Sequence, residues 1–196
     1  MRLLPKWIQD ISKNVSANPS IRPMLAWVHV TNTHAWATNS FIAIRAELPK
    51  IQHVKFPWEN VPVLPDDWII IPAKLLEKIK FTKNKITPVL DNWVIRKLDD
   101  WNISIVVSDV ETETQYTSRI ITGKMPDLES FHKKITESEK KEEIAFSIEY
   151  MIDMLSTFKA MWYSNLRLST HKEQWIVLKP YDTKEDTWWL VMPLKI

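Results

Sequence analysis

The chain has 196 residues, 45% of them hydrophobic, with 26 Lys plus Arg against 24 Asp plus Glu. That composition supports a buried core in one large domain or two small ones. The absence of cysteine excludes a disulfide framework, a thiol nucleophile and a thiolate metal site, and fits a reducing, cytoplasmic setting. A net charge of +2 is too small to argue nucleic-acid binding alone, no apolar run approaches membrane-spanning length, and the amino end, broken at Pro5, lacks the apolar core of a signal peptide.

In chain order, Leu4, Ile8, Ile11 and Val15 recur at helical spacing and predict a helix over 4–16. Past an Asn-Pro-Ser-Ile-Arg-Pro breaker, 24–31 and 34–47 alternate and carry β-branched residues, which predicts two or three strands. Residues 49–66, with four prolines, read as a connector. Trp68-Ile-Ile-Ile reads as a short buried strand, and Pro72 opens a helix with Leu75, Leu76 and Ile79 inside and Lys74 and Lys78 outside. Four short strands are expected at 86–90, 94–98, 103–108 and 112–121, joined by hairpins. Residues 132–143, densely charged, read as an exposed linker. A strand at 144–148, a helix at 149–161 burying Met151, Met154, Leu155 and Phe158, and strands at 164–170, 174–180 and 188–195 complete the chain. One pattern of strand, helix and antiparallel strands thus occurs about three times, near 1–48, 67–121 and 144–196, and makes the class α+β.

One count is abnormal. Ordinary usage of roughly 7% would give about 14 glycines; the chain has one, beside 11 tryptophans. Trp68, Trp93 and Trp101 each follow Asp or Asn just before a strand, where Asp-Gly and Asn-Gly make tight turns. Two readings stand. Either many of these tryptophans occupy glycine positions, as when a UGA codon read as glycine is translated as tryptophan, or the protein is truly Trp-rich and offers surface aromatics for stacking.

Four strings carry a family resemblance. LLPKWIQDIS followed by IRPMLAWVHV matches a Leu-Pro helix opening and a Leu-x-Gly-Val-like strand, with Trp27 where the Gly belongs. ATNSFIAI at 37–44 is similar to an Ala-Thr-Asp-Gly-His-Arg-Leu loop, with Asn39 and Ser40 for Asp and Gly. IIIPAKLLEKI at 69–79 with SRIITGKMPDLES at 118–130 matches a strand-helix and a Gly-x-Phe-Pro-Asp segment. IAFSIEYMIDML with the ending LVMPLKI matches a final helix and a Val-Met-Pro-x-Arg-Leu terminus. In this order the chain resembles the bacterial DNA sliding clamp, the β subunit of DNA polymerase III, as a short divergent member.

The resemblance implies a DNA-clamp fold of repeated βαβββ-type units, with antiparallel sheets outside and helices lining one face. It divides the chain into a domain like the family's middle domain over 1–131, a linker over 132–143, and a half-domain over 144–196 like the family's last unit. The family's first domain is absent, as is the unit that should precede residue 144. The family closes a six-domain ring around duplex DNA from two three-domain chains, so a ring of twelve units would need four copies of a three-unit chain.

The implied function is that of a non-enzymatic processivity factor, an oligomeric ring that encircles duplex DNA and tethers replication or repair enzymes. Its partners would be DNA, a polymerase and other clamp-binding proteins, and a clamp loader. Lys6, Lys13, Lys74, Lys78, Lys80 and Lys159 would face phosphate without reading sequence, although solvated helix faces account for them equally. A partner-peptide pocket would be lined by Leu25, Thr38, Ser40, Ala43, Leu190, Val191, Met192, Pro193 and Leu194, an ordinary edge strand being the alternative for the last five. The competing functions are a clamp-fold adaptor that forms no ring and, if the tryptophans are genuine and exposed, an aromatic module for single-stranded nucleic acid or carbohydrate.

Catalysis finds little support in the sequence. The five histidines have no metal-ligand spacing, there is no Gly-x-Ser-x-Gly elbow, and restoring Gly at every Trp creates no phosphate-binding loop. No catalytic residue, metal or cofactor is assigned.

Overall fold

The computed structural model describes residues 2–16, 20–22, 25–49, 68–80, 92–98, 102–108, 111–121, 126–137, 145–171, 175–181 and 183–192. The elements run β1 (Arg2–Pro5), α1 (Trp7–Val15), β2 (Trp27–Thr31), β3 (His34–Thr38), β4 (Ile42–Glu47), β5 (Trp68–Pro72), α2 (Ala73–Lys78) and β6 (Asn92–Lys97). They continue with β7 (Asn102–Ser108), β8 (Glu113–Arg119), α3 (Leu128–Thr136), α4 (Ile148–Ala160), β9 (Leu166–Thr170), β10 (Ile176–Pro180) and β11 (Trp188–Val191).

The described strands form two antiparallel sheets, ordered β1-β6-β7-β8 and β5-β2-β3-β4-β11-β10-β9. The strand leading each of the first two helices crosses to the other unit's sheet. β1, before α1, pairs with β6, the strand after α2, whereas β5, before α2, pairs with β2, the strand after α1. Two units that exchange their first strands reciprocally are related as by a two-fold axis. The third unit, α4 with β9 to β11, is joined to them by the antiparallel pair β4–β11, with Ala43 opposite Leu190 and Ile42 opposite Val191.

The main core lies between the helices and both sheets, where Leu4, Ile8, Ile11 and Val15 of the first unit meet Ile71, Leu76, Ile95, Ile105, Phe158 and Trp189. Full burial of each large aliphatic side chain is worth about 1.5–3 kcal/mol. Polar clasps join the helices across this core. Gln9 Nε2 donates to the carbonyls of Leu76 (2.8 Å) and Ile79 (2.9 Å) at the end of α2, where Leu76 O also accepts the Ile79 N–H (3.2 Å). Asn14 Nδ2 donates to Thr157 Oγ1 (2.8 Å) and the Asp153 carbonyl (3.3 Å) of α4.

Several expected elements differ. The helix of 4–16 begins only at Trp7; Leu4 and Pro5 belong to β1, because pairing with β6 decides the backbone there and helical periodicity cannot see it. Residues 132–136 of the expected linker form the second half of α3, a helix whose sparse apolar positions Leu128 and Ile135 are both buried. Ala145–Ser147 precede α4 without strand pairing, and Leu155 of α4 is exposed where burial was expected. The connector of 50–66, the strand at 86–90 and the last residues 193–196 lie outside the described residues.

The tryptophans divide. Trp93 is not a turn residue: it sits inside β6, buried, and its indole Nε1 donates to the Pro5 carbonyl at 3.2 Å. Trp68 and Trp27 open β5 and β2, and Trp101 is outside the described residues. Among the described tryptophans, Trp162 alone has the backbone of a glycine, at φ 68°. It follows Met161 at the end of α4, where the Trp162 N–H donates to Lys159 O (3.0 Å) and the Tyr163 N–H to Phe158 O (3.1 Å). This pair of bonds is a Schellman ending, whose left-handed residue is usually Gly. The Phe158–Tyr163 ring contact, 5.8 Å between centroids, supplies the apolar contact that accompanies it.

Candidate functional site

A cavity of about 360 Å³ opens where β4 meets β11. One wall is the β3–β4 turn. Thr38 Oγ1 donates to the Ile42 carbonyl (2.8 Å) and accepts the Ser40 N–H (3.1 Å), while Asn39 Oδ1 accepts the N–H groups of Phe41 (2.9 Å) and Ile42 (3.0 Å). These bonds hold Ser40 at φ 80°, a left-handed position open to short polar residues, and turn Phe41 outward to stack on Tyr150 at 5.7 Å. The turn's polar groups are thereby spent internally, which leaves an apolar face toward the cavity.

The opposite wall is the start of α3, with Pro126, Leu128 and Phe131, and Trp175 beside them; Phe131 and Trp175 meet edge to face at 5.0 Å. Asp127 caps α3 by accepting the Ser130 N–H (3.0 Å) and hydroxyl (2.6 Å), and these bonds hold its carboxyl below the usual range. Met192 closes the rim, its N–H donating to the Phe41 carbonyl at 2.8 Å.

Arg45 fastens the two walls. Largely buried on β4, it lies over the Trp36 ring at 5.0 Å, pairs with Glu129 of α3 at 3.5 Å, and bonds the carboxylate and carbonyl of Asp186 before β11. Removing it from water lowers its pKa, an effect that Glu129 and Glu47 oppose. His132 of α3 stacks flat on Trp188 at 4.2 Å, and burial, with Lys179, Arg45 and His171 nearby, pushes its pKa down to about 4. At neutral pH this ring is therefore uncharged packing.

Of the residues expected at the pocket, Leu25, Thr38, Ser40, Ala43 and Met192 line this one cavity. Leu190 and Val191 do not reach it: both are buried in β11, because alternate strand residues there pack against core on each face. Pro193 and Leu194 are outside the described residues. The α3 wall and Trp175 were missed, since a charged stretch hides a helix that contributes only a few apolar contacts. The Pro126-Asp127 pair, a stop followed by a cap, was the available signal.

The six expected lysines lie on or beside three helices packed side by side, α2 against α1 and α1 against α4: Lys13, Lys74, Lys78 and Lys159 within them, Lys6 just before α1 and Lys80 just after α2. Lys13, Lys74, Lys78, Lys80 and Lys159 are exposed and Lys6 is half-buried. Acidic residues share this region: Asp10 has its pKa raised by burial, against the pull of Lys6 and Lys13, and Asp153 is raised by burial and Glu149. The helices therefore present a mixed surface, with lysine concentrated on α2. Trp93, Trp188 and Trp189 are buried and have no face on which a base or sugar could stack. Among the described residues, no group of His, Asp or Glu is placed to hold a metal, and no helix is long and apolar enough to cross a membrane.

No family model matches the chain, and no curated protein matches it in sequence. Solved structures do. The β subunit of DNA polymerase from Streptococcus pyogenes superposes with a TM-score of 0.60 at 14% identity, over 100% of this chain and 66% of the other. DNA polymerase III subunit β from Borrelia burgdorferi, solved with a natural product, gives 0.61 at 11% identity, over 100% and 64%. The PCNA2–PCNA3 complex of Sulfolobus tokodaii gives 0.55 at 10% identity, over 97% of this chain and 98% of that one. The chain spans about two thirds of the length of the bacterial subunits it matches. These likenesses, bacterial and archaeal alike, establish the DNA-clamp fold, an α+β arrangement of antiparallel sheets and few helices.

Proposed function

We propose that this protein is a sliding-clamp-like processivity factor, without enzymatic activity, that holds a polymerase or repair enzyme on duplex DNA. The observation that carries this reading is the apolar cavity at the β4–β11 junction of a clamp fold, walled by a bonded turn on one side and α3 on the other. Such a groove suits a short peptide with aliphatic or aromatic anchors, and Met192 at its rim adapts to their shape. Lys6, Lys13, Lys74, Lys78, Lys80 and Lys159 would supply weak phosphate contacts that allow sliding.

The test is retention on DNA. Protein loaded on a closed circle should stay through a high-salt wash and be released when the circle is cut; equal loss from circle and linear duplex would overturn encirclement. The incomplete third unit favours a second reading, an adaptor that binds replication proteins through the same cavity without closing a ring. In that case peptide binding persists while the circle-dependent retention is absent.

A further inference from the structure

The third unit has an open side, and the first two units show what closes it. In both of them the strand just before the helix pairs antiparallel with the strand just after the other unit's helix, ending with Pro5 opposite Asn92 and Pro72 opposite Trp27. In the third unit the residues before α4, Ala145–Ser147, carry no strand pairing, and β9 has a neighbour on one side only, β10, among the described residues. α4 is likewise half covered. Its Asp153 and Thr157 stripe meets α1, whereas Ile148, Ile152 and Leu155, spaced i, i+4 and i+7 on another stripe, are 73%, 56% and 46% exposed. Three large aliphatic side chains in one exposed row mark an interface.

We propose that a second copy of this chain covers this side through a two-fold axis, so that two third units complete each other as the first and second units do. Each copy gives Ala145–Ser147 to the other's β9 and lays its α4 antiparallel to the other's α4. In the register of the β5–β2 pair, Ser147 falls opposite Leu166 of the other copy, and Ala145 opposite Leu168. The helix is self-complementary for this arrangement. Glu149 lies in its first turn and Lys159 in its last, so antiparallel copies bring opposite charges together at both ends. Lys159 then belongs to the seam rather than to the open helix face. An isologous contact of this kind closes on itself and needs no DNA.

Light scattering over a dilution series tests it. The expected species is a dimer of twice the 23.2 kDa chain mass that gives monomer on dilution. Ile152→Glu with Leu155→Glu, at positions already exposed, should weaken the dimer at least 100-fold while leaving the unfolding midpoint of the monomer in place. Because the chain has no cysteine, Ala145→Cys with Leu168→Cys should give an oxidised covalent dimer that either single variant does not. A monomer at every concentration, a dimer indifferent to the two glutamates, or an absent crosslink would overturn the inference. A dimer that crosslinks but is not retained on circular DNA would uphold this contact while removing the encirclement reading.

Discussion

A left-handed backbone is tolerable at Ser40 and costly at Trp162, and the difference lies in the side chain. Ser40 is short and sits in a turn already bonded by Thr38 and Asn39, whereas Trp162 has, among the described residues, no such side-chain bonds holding its turn and carries an indole that is 86% exposed, gaining no burial in return. A left-handed residue other than Gly costs roughly 1–2 kcal/mol. Trp162→Gly should therefore stabilise the protein by about 1 kcal/mol, read as a higher urea midpoint at unchanged slope; an unchanged or lower midpoint would mean that the indole repays its backbone. The glycine shortage was plain in the sequence, but the places it pointed to were only partly right. An Asn-Trp pair before a strand looks like a turn, yet Trp93 fills core and bonds Pro5, a partner 88 positions away that no local pattern contains. Trp162 follows a helix end with no Asn or Asp beside it, so no local turn signal marks it. Codons at 162 and 93 would separate the two readings of the tryptophans, with a glycine-read UGA expected at 162.

At the scale of elements, local rules worked where a segment's own periodicity sets its structure and failed where distant pairing does. α2 follows the expected pattern, with Leu75, Leu76 and Ile79 buried and Lys74 and Lys78 exposed. β1 and α3 do not: each is a short element whose existence depends on what it packs against. The dependence of α3 on its dock makes it acid-sensitive. His132 against Trp188, and His29 within β2, both have pKa values lowered to about 4 by burial, His132 also by neighbouring positive charge. Their unfolded value is near 6.5, so above that pH neither state binds the proton and stability is full. Between 6.5 and 4 the unfolded chain takes up protons that the folded one refuses, and stability falls by about 1–3 kcal/mol per ring before levelling off. Asp10 and Asp153, whose pKa values burial raises, oppose this, because the folded chain takes up their protons first as the pH falls. Urea midpoints should thus drop from pH 7 to pH 5, and His132→Phe, which keeps the stack, should remove part of the drop; an equal slope in that variant would acquit the ring. The pocket depends on the same element, and Met192→Ala, which strips its rim, should weaken an apolar clamp-binding peptide about tenfold or more without moving the unfolding midpoint. Unchanged affinity would exclude the cavity as the peptide site.

For the whole molecule, the third unit sets the question of assembly. One chain holds one reciprocal pair of units and half of another, joined through β4–β11, so the composite made by two chains contains three complete pairs with β8 left at each end. An end strand of this kind, polar and fully extended over Glu113–Arg119 with most side chains exposed, is where a further dimer would have to meet it for a ring to close. Twelve units then correspond to four chains. If closure happens on DNA, the helices face the duplex, and the charge that matters is that of α2 and its end, where Lys74, Lys78 and, just past the helix, Lys80 lie with one acidic neighbour, Glu77. Each phosphate neutralised contributes nearly one power of salt concentration to the affinity. Lys74→Glu with Lys78→Glu should lower retention on circular DNA and reduce the slope of log affinity against log salt by about 2. The same substitutions lie far from α4 in the chain of helix contacts, so the dimer should persist. An unaltered slope would show that these lysines are solvated surface, and that any ring holds DNA by topology without them.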